Sequence, residues 1–252
     1  MADEILWIFL HLPKSGGTTF KGHAFKHKKW DEVFIELSNW GRSYRTKNNR
    51  PDFADRIRAD RCKAEYLFGH GTYYGIHKLV PGKIPRYITF VRDPADRCAS
   101  LYNFRLSRGA TCLNFEDWYE QEYKARTSNP MTHFYAERLA NRKMEHGDPL
   151  VLDLAKSMLD RCWYVGTTDN LNDDLKYLFG QMGLPEKWEN YRVAGQSENG
   201  LNGLNHPSEG EVVTKYIELD VATREQIYQD STLDLKLYQW VKRRKENNPP
   251  ES

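Results

Sequence analysis

A short apolar run followed by a glycine-containing loop is the feature that most constrains how this chain can fold. Residues 5–12 are rich in β-forming side chains, and Pro13 ends the run. Gly16 and Gly17 follow, and the chain from Thr18 onward suits a helix. The segment therefore predicts a strand, a loop and a helix in direct succession, which is the unit of a parallel α/β sheet.

The rest of the chain repeats this alternation. Further strand candidates lie at 64–70, 85–92 and 163–170, and helix candidates at 95–107, 115–145, 150–162, 171–183 and 208–245. Gly183 is expected to end its helix in a left-handed turn, and 247–252 is expected to be a disordered tail. We predict an α/β fold with a central, mainly parallel sheet, in one domain over 1–246. The segments at about 35–60 and 110–150 are treated as variable segments within this domain.

Charge and apolar runs exclude some classes of protein. The 252 residues carry 37 Lys plus Arg against 35 Asp plus Glu, a net charge of +2, so we expect no nucleic-acid partner bound through bulk charge. No apolar run is long enough for a membrane span or a signal peptide, so we expect a cytoplasmic protein, of bacterial source. Four cysteines lie far apart and predict reduced thiols rather than disulfides or a metal site: Cys62, Cys98, Cys112 and Cys162.

The first loop has the chemistry of a phosphate site. Glycines let backbone N–H groups approach a ligand, and the following helix directs its unpaired N–H groups and positive dipole end to the same place. Lysine adds a point charge, and hydroxyl groups add further donors. The loop residues with these roles are Lys14, Ser15, Gly16, Gly17, Thr18 and Thr19.

The order of residues argues against a nucleotide triphosphatase or P-loop kinase. A Walker loop has its lysine after the last glycine, followed by the Ser or Thr that binds magnesium. Here Lys14 precedes the glycines, and Arg92 lies directly before Asp93, where a magnesium-binding carboxylate would be needed. The loop is therefore better suited to a ligand without magnesium.

A second anion motif, RDPADRCAS, starts at the end of the third predicted strand. Arg92 offers a forked set of donors suited to phosphate, and Ser100 lies on the helix that Pro94 begins. Arg97 either assists a phosphate or pairs with a carboxylate, and the sequence does not decide between the two.

HLPKSGGTTF and RDPADRCAS, in this order and about 75 residues apart, resemble the two motifs of sulfotransferases. These enzymes use 3′-phosphoadenosine 5′-phosphosulfate (PAPS) as the sulfuryl donor, and the chain is most similar to the branch of heparan 2-O-sulfotransferase-like and bacterial carbohydrate enzymes. The resemblance implies a P-loop-like, three-layer fold and adenosine 3′,5′-bisphosphate as product, with no metal. It assigns residues 14–19 to the 5′-phosphosulfate and Arg92 with Ser100 to the 3′-phosphate.

Two histidines compete for the role of general base. His70 follows a predicted strand end, and the segment FGHGTYYGIH resembles the one that holds the catalytic histidine of this branch. His77 is the second candidate, with a substrate-orienting role as its alternative. We expect Lys14 to stabilise the departing phosphate, and His11 to pack behind the loop.

Other residues that bear on function have weaker signals. His23 and His27 have a metal-like spacing, but the lysines around them favour a structural role. Trp118, Tyr119 and Tyr123 suit a hydrophobic core better than a sugar platform. The stretch 195–210 has no Lys or Arg, although relatives use a basic residue there. Gln196, Ser197 or Asn199 of this stretch would have to cover the adenine. Alternatively, Arg192, just before the stretch, would replace the basic residue that relatives use.

The sequence therefore predicts a PAPS-dependent O-sulfotransferase. Its expected acceptor is a hydroxyl on a carbohydrate, meaning a glycan, a glycolipid or a small glycoside. A tyrosine in a peptide is the alternative acceptor. Two alternative functions belong to other classes of protein: a kinase or triphosphatase, and a nucleotide-binding module without catalysis. The oligomeric state is not predicted.

Overall fold

A computed structural model describes residues 4–27, 34–36, 64–124, 128–187 and 217–247. The strands are β1 (Ile5–Leu10), β2 (Phe34–Glu36), β3 (Tyr66–Gly69), β4 (Ile84–Val91) and β5 (Tyr164–Thr167). The helices are α1 (Gly17–His27), α2 (Pro94–Ser107), α3 (Phe115–Trp118), α4 (Pro130–Ala140), α5 (Val151–Asp160), α6 (Leu171–Gln181), α7 (Val221–Asp230) and α8 (Thr232–Asn247). A 3-10 turn covers Ile76–Leu79, and α3 continues as a π-helix over Tyr119–Lys124.

Within the described ranges, the strands form one five-stranded sheet in the order β2-β3-β1-β4-β5. All of its pairings are parallel, with Phe9 of β1 opposite Phe68 of β3 and opposite Ile88 of β4. After β1 the chain runs towards the β2 edge, whereas after β4 it runs towards β5. The sheet therefore has its topological switch point between β1 and β4, where α/β proteins bind ligands.

Helices cover both faces of the sheet because strand side chains alternate between them. Leu6, Ile8 and Leu10 of β1 belong to a buried cluster with side chains of α4, α5 and α8. Trp7 and Phe9 belong to a second cluster, formed with side chains of α1 and α6. The predicted three-layer α/β fold is confirmed, with β1 buried on both sides.

A third buried cluster joins α2, the helix over 115–124 and α7. It contains Trp118, Tyr119 and Tyr123, each less than 7% exposed. These aromatic side chains therefore belong to the core, as the sequence analysis predicted.

Several boundaries differ from those expected. Strand β2 was not predicted, and the 115–145 helix is interrupted before α4 begins. The long helix expected over 208–245 does not include 217–220, and Ser231 separates α7 from α8. Asn247, expected in the tail, is the last residue of α8, whereas 248–252 and 208–216 lie outside the described residues. Gly183 has the predicted left-handed φ of +63° after α6. Within the described residues, no helix is both long enough and apolar enough to cross a membrane.

Candidate functional site

The two anion motifs meet at the switch point of the sheet. The loop after β1 carries Lys14, and Arg92 is the first residue after β4. Arg92 Nη1 donates a hydrogen bond to the backbone oxygen of Lys14 over 3.0 Å. This hydrogen bond joins residues 78 apart in sequence, so the two motifs meet at the same edge of the sheet.

The backbone conformation and the packing of the loop account for the glycines at 16 and 17. Lys14 has φ +69° and Gly16 has φ +78°, both in the left-handed region. A Cβ on Gly17 would lie 2.1 Å from Nε2 of His11, so the histidine ring occupies the space of a side chain at this position. His11 thus lies against the loop, as predicted, and only glycine fits opposite it.

Several polar groups of the loop are arranged for an anion. Helix α1 starts at Gly17, and its first turn is closed by a hydrogen bond from Phe20 N to Gly16 O over 3.1 Å. Ser15 is 1% exposed, and its Oγ has no hydrogen-bond partner among the described residues. Thr18 is half-buried and Thr19 is buried on the first turn of the helix. A buried hydroxyl without a partner costs free energy, which a bound anion would offset.

The second motif forms the start of α2. Asp93 caps the helix through Oδ1, which accepts hydrogen bonds from Ala95 N at 2.9 Å and Asp96 N at 3.1 Å. Pro94 occupies the first helical turn, as predicted. Ser100 is half-buried on the second turn, and Phe104 follows it by four residues on the same helix face.

Lys14 extends towards this helix. Its Nζ lies 4.1 Å from the centre of the Phe104 ring, a cation–π distance. Because Phe104 and Ser100 share one face of α2, the lysine lies on the side of the helix that carries Ser100. Sequence reasoning missed Phe104, whose only signal was its four-residue spacing from Ser100.

Arg97 belongs to the core rather than to the anion site. It is 3% exposed, and its Nη2 donates to the hydroxyl of Tyr123 over 2.7 Å. Burial raises the pKa of the Asp234 carboxyl, and the positive charge of Arg97 opposes that rise. The structure thus places Arg97 in the core, where its guanidinium donates to a tyrosine and its charge acts on the buried Asp234 carboxyl.

His70 lies directly after β3, next to the loop. Its Nδ1 is 3.0 Å from the backbone oxygen of His11, and the two imidazole rings stack with centres 4.2 Å apart. A carbonyl oxygen only accepts, so Nδ1 carries the proton and a neutral His70 has its lone pair on Nε2. Nε2 is therefore the ring nitrogen whose lone pair can accept a proton from a ligand.

The His11 ring, stacked on that of His70, is neutral at pH 7. Burial lowers its pKa well below the usual value, and electrostatic interactions with His70, Lys21 and Lys14 lower it further. The loop therefore contains a histidine that does not add charge at neutral pH.

His77 lies elsewhere. Its Nδ1 is 2.8 Å from the hydroxyl of Tyr87, and burial and Lys78 lower its pKa. Tyr87 is opposite Ile8 in the middle of the sheet. It precedes Arg92 by five residues, or roughly 15 Å of extended chain. The structure places His70, and not His77, at the edge where the two motifs meet.

The other histidine pair has a structural environment. His23 Nε2 donates to the backbone oxygen of Pro185 over 2.7 Å, and its ring lies on Phe179. The structure describes no group of three or more His, Cys, Asp or Glu side chains suited to a metal among the residues that it covers. Arg192 and 195–210 lie outside the described residues, so the expected adenine contacts do as well.

Comparisons with known proteins give the family. A sulfotransferase from Alicyclobacillus acidocaldarius superposes with a TM-score of 0.47 at 13% identity, covering 94% of this chain and 95% of that one. Mouse sulfotransferase SULT7A1, complexed with PAP, gives 0.40 at 12% identity, covering 94% and 89%. No curated protein matches the sequence. The model of the Sulfotransferase family matches residues 1–241, nearly the whole chain, and this chain belongs to that family.

Proposed function

We propose that this protein is a PAPS-dependent O-sulfotransferase. It transfers a sulfuryl group to a hydroxyl acceptor and releases adenosine 3′,5′-bisphosphate. The observation that carries the proposal is the contact of Arg92 with Lys14, because it brings both anion motifs to one switch point. A donor with phosphate groups at both ends requires two such motifs in one site.

The loop residues fit the 5′-phosphosulfate. Residues 14–19 offer the start of α1, the hydroxyl groups and the charge of Lys14. The buried, unpartnered Ser15 hydroxyl fits a ligand that accepts hydrogen bonds. Arg92 and Ser100, at the start of α2, would hold the 3′-phosphate.

His70 is the proposed base and Lys14 the proposed electrostatic catalyst. The proton of the acceptor hydroxyl passes to Nε2 of His70 as the acceptor oxygen bonds to sulfur. The bond between sulfur and the bridging oxygen breaks, and the electron pair stays on the departing phosphate. Lys14 stabilises that negative charge, so positioning and electrostatics carry the reaction and no metal is needed.

The acceptor is proposed from the family branch that the motifs resemble. A carbohydrate hydroxyl is the first choice and a peptide tyrosine the alternative. The acceptor would contact the variable segments at 35–60 and 110–150, within one domain over 1–246, in a cytoplasmic bacterial protein. In the described part of the second segment, Tyr119 and Tyr123 are buried, so the acceptor must contact other side chains there.

Calorimetry tests the donor site. Adenosine 3′,5′-bisphosphate should bind at least ten times more tightly than AMP, because Arg92 and Ser100 would bind the additional phosphate. Ser100→Ala should weaken the bisphosphate and leave AMP unchanged. Equal affinity of the wild-type protein for both nucleotides would reject the proposal.

Mass spectrometry tests the reaction. Extracts incubated with protein and PAPS should yield products heavier by one sulfuryl group. His70→Ala should lower transfer by about 10²–10⁴-fold with bisphosphate affinity retained, whereas His77→Ala should not. Magnesium-dependent ATP hydrolysis would support a kinase or triphosphatase, and bisphosphate binding with no transfer to any acceptor would support a binding module.

A further inference from the structure

The end of α4 holds the chain at His70 and in the turn that follows it. Arg138 is 6% exposed, and its Nη2 donates to the backbone oxygen of His70 over 2.6 Å. The backbone oxygen of Arg138 accepts a hydrogen bond from Tyr74 N at 3.0 Å. One residue thus fixes both the proposed base and the turn that follows it.

Helix α4 is itself firmly anchored, so it can serve as a fixed support. The hydroxyl of Tyr135 donates to Phe90 O over 3.1 Å, which attaches the helix to β4. At the other end, the Asp234 carboxylate accepts from Met131 N at 3.0 Å and from Thr132 N at 2.7 Å. Arg138 therefore extends from a helix that is attached to the sheet and to α8.

The side chain of Arg138 is also restrained. Its guanidinium lies over the Phe134 ring at 4.5 Å, one helical turn back. A planar, stacked guanidinium keeps its donors in a fixed direction. A hydrogen bond from a charged donor inside the protein is also stronger than a neutral one. This contact can therefore fix the peptide that follows β3.

We propose that Arg138 is a positioning residue for His70. It fixes the peptide of His70 while His11 fixes the ring, and together they direct Nε2 towards the acceptor. The inference rests on the proposed function. Small displacements of a reacting group cost rate steeply, so losing one restraint should slow transfer without weakening donor binding.

The test compares Arg138→Met and Arg138→Lys, with Arg142→Met as the control. Arg142 is exposed just after α4, and among the described residues its side chain bonds only to a neighbouring backbone oxygen, Lys143 O. We expect Arg138→Met to lower kcat about tenfold or more, with KM for PAPS and bisphosphate affinity unchanged. Arg138→Lys, which keeps a charged donor, should recover most of kcat, and Arg142→Met should match wild type.

Nitrogen-15 NMR of the His70 ring separates positioning from general structural support. Wild type should show protonated Nδ1 and unprotonated Nε2, and Arg138→Met should show a mixture of the two tautomers. Wild-type kcat in Arg138→Met, or reduced kcat with an unchanged His70 spectrum, would overturn the inference. If Arg138→Met does not fold, the spectrum of Arg138→Lys decides: a wild-type tautomer supports the proposal, and a mixture at full kcat refutes it.

This readout is independent of the proposed function. The NMR spectra need neither PAPS nor an acceptor, so they show whether Arg138 orients His70 even if no sulfuryl transfer is found. A wild-type protein that transfers nothing would reject the proposed function. A tautomer unaffected by Arg138→Met, in a protein that does transfer, would reject only the role of Arg138.

Discussion

The imidazole of His70 stacks on that of His11 with ring centres 4.2 Å apart, and its Nδ1 is 3.0 Å from the backbone oxygen of His11. This pair joins the end of β3 to the start of the anion loop. The His11 ring in turn lies against Gly17. The proposed base and the proposed donor loop are therefore parts of one packed unit.

His11 should make the folded protein sensitive to acid. Its pKa in the folded state is well below the usual value of 6.5, so the unfolded chain binds the proton more readily. The stabilisation is complete above pH 6.5 and is lost as pH falls towards the folded pKa. His11→Phe keeps an aromatic ring but cannot titrate. In urea unfolding between pH 7.5 and 5, its free energy of unfolding should fall less steeply than that of wild type.

One proton corresponds to a slope of about 1.4 kcal/mol per pH unit, which is the largest difference expected. His77→Phe is the control, because the pKa of His77 is also lowered, but not as far as that of His11. Its effect on the slope should be smaller. Parallel pH curves for wild type and His11→Phe would contradict the role given to His11.

Gly17→Ala should disrupt the loop by steric conflict with His11. The added Cβ would lie 2.1 Å from the ring, closer than such atoms approach in proteins, so the ring or the loop must move. We expect bisphosphate affinity to fall at least tenfold in calorimetry. Gly180→Ala is the matched control: its Cβ would meet only the carboxylate end of Glu186 at 3.2 Å, and alanine favours the helix.

A double variant tests the cause. If the His11 ring is what excludes a side chain, then Gly17→Ala should cost less affinity in a His11→Ala background than in the wild type. Equal losses in both backgrounds would show that the glycine is needed for another reason.

Sequence reasoning found the parts of this site that are local in the chain. The strand, the glycine loop and the helix start are adjacent in sequence, and Arg92 with Ser100 lies on one strand-to-helix turn. The restraints on His70 come from His11 and Arg138, at separations of 59 and 68 residues. Such contacts depend on strand order and helix packing, which no local pattern records.

The same limit explains Arg97. Its spacing from Arg92 suits an anion site as well as a core, and only the position of α2 against the π-helix and α8 decides between them. Strand β2 was missed for a different reason. It has three residues, too few for a periodic pattern.

The two arginines of the second motif should therefore differ when each is replaced by methionine. Arg97→Met removes the buried hydrogen bond to Tyr123 and the positive charge that acts on Asp234, and we expect a loss of about 2 kcal/mol in urea unfolding. Arg92→Met should change stability by less than about 1 kcal/mol and should abolish the preference for adenosine 3′,5′-bisphosphate over AMP. The reverse pattern would show that the roles are exchanged.

The double variant Arg97→Met with Asp234→Asn removes both buried charges. It should be more stable than the sum of the two single losses predicts, because neither charge is left uncompensated. Additive losses would mean that Arg97 and Asp234 act independently.

Ser15→Ala should separate the folding of the loop from its binding of anions. The Ser15 hydroxyl is buried and makes no hydrogen bond to any described residue, so its removal breaks no such bond in the free protein. We expect the free energy of unfolding without ligand to be unchanged or about 1 kcal/mol higher. Bisphosphate affinity should fall about tenfold, because a hydrogen bond to a charged phosphate is lost.

Ser107→Ala is the control for this comparison. Its hydroxyl is exposed at the end of α2 and donates to Phe104 O over 3.0 Å, so neither quantity should change by more than a few tenths of a kcal/mol. A destabilised Ser15→Ala protein with full bisphosphate affinity would assign Ser15 to folding. A stable one with weakened affinity would place its hydroxyl on the ligand, because the free protein offers that buried oxygen nothing else to bind within the described residues.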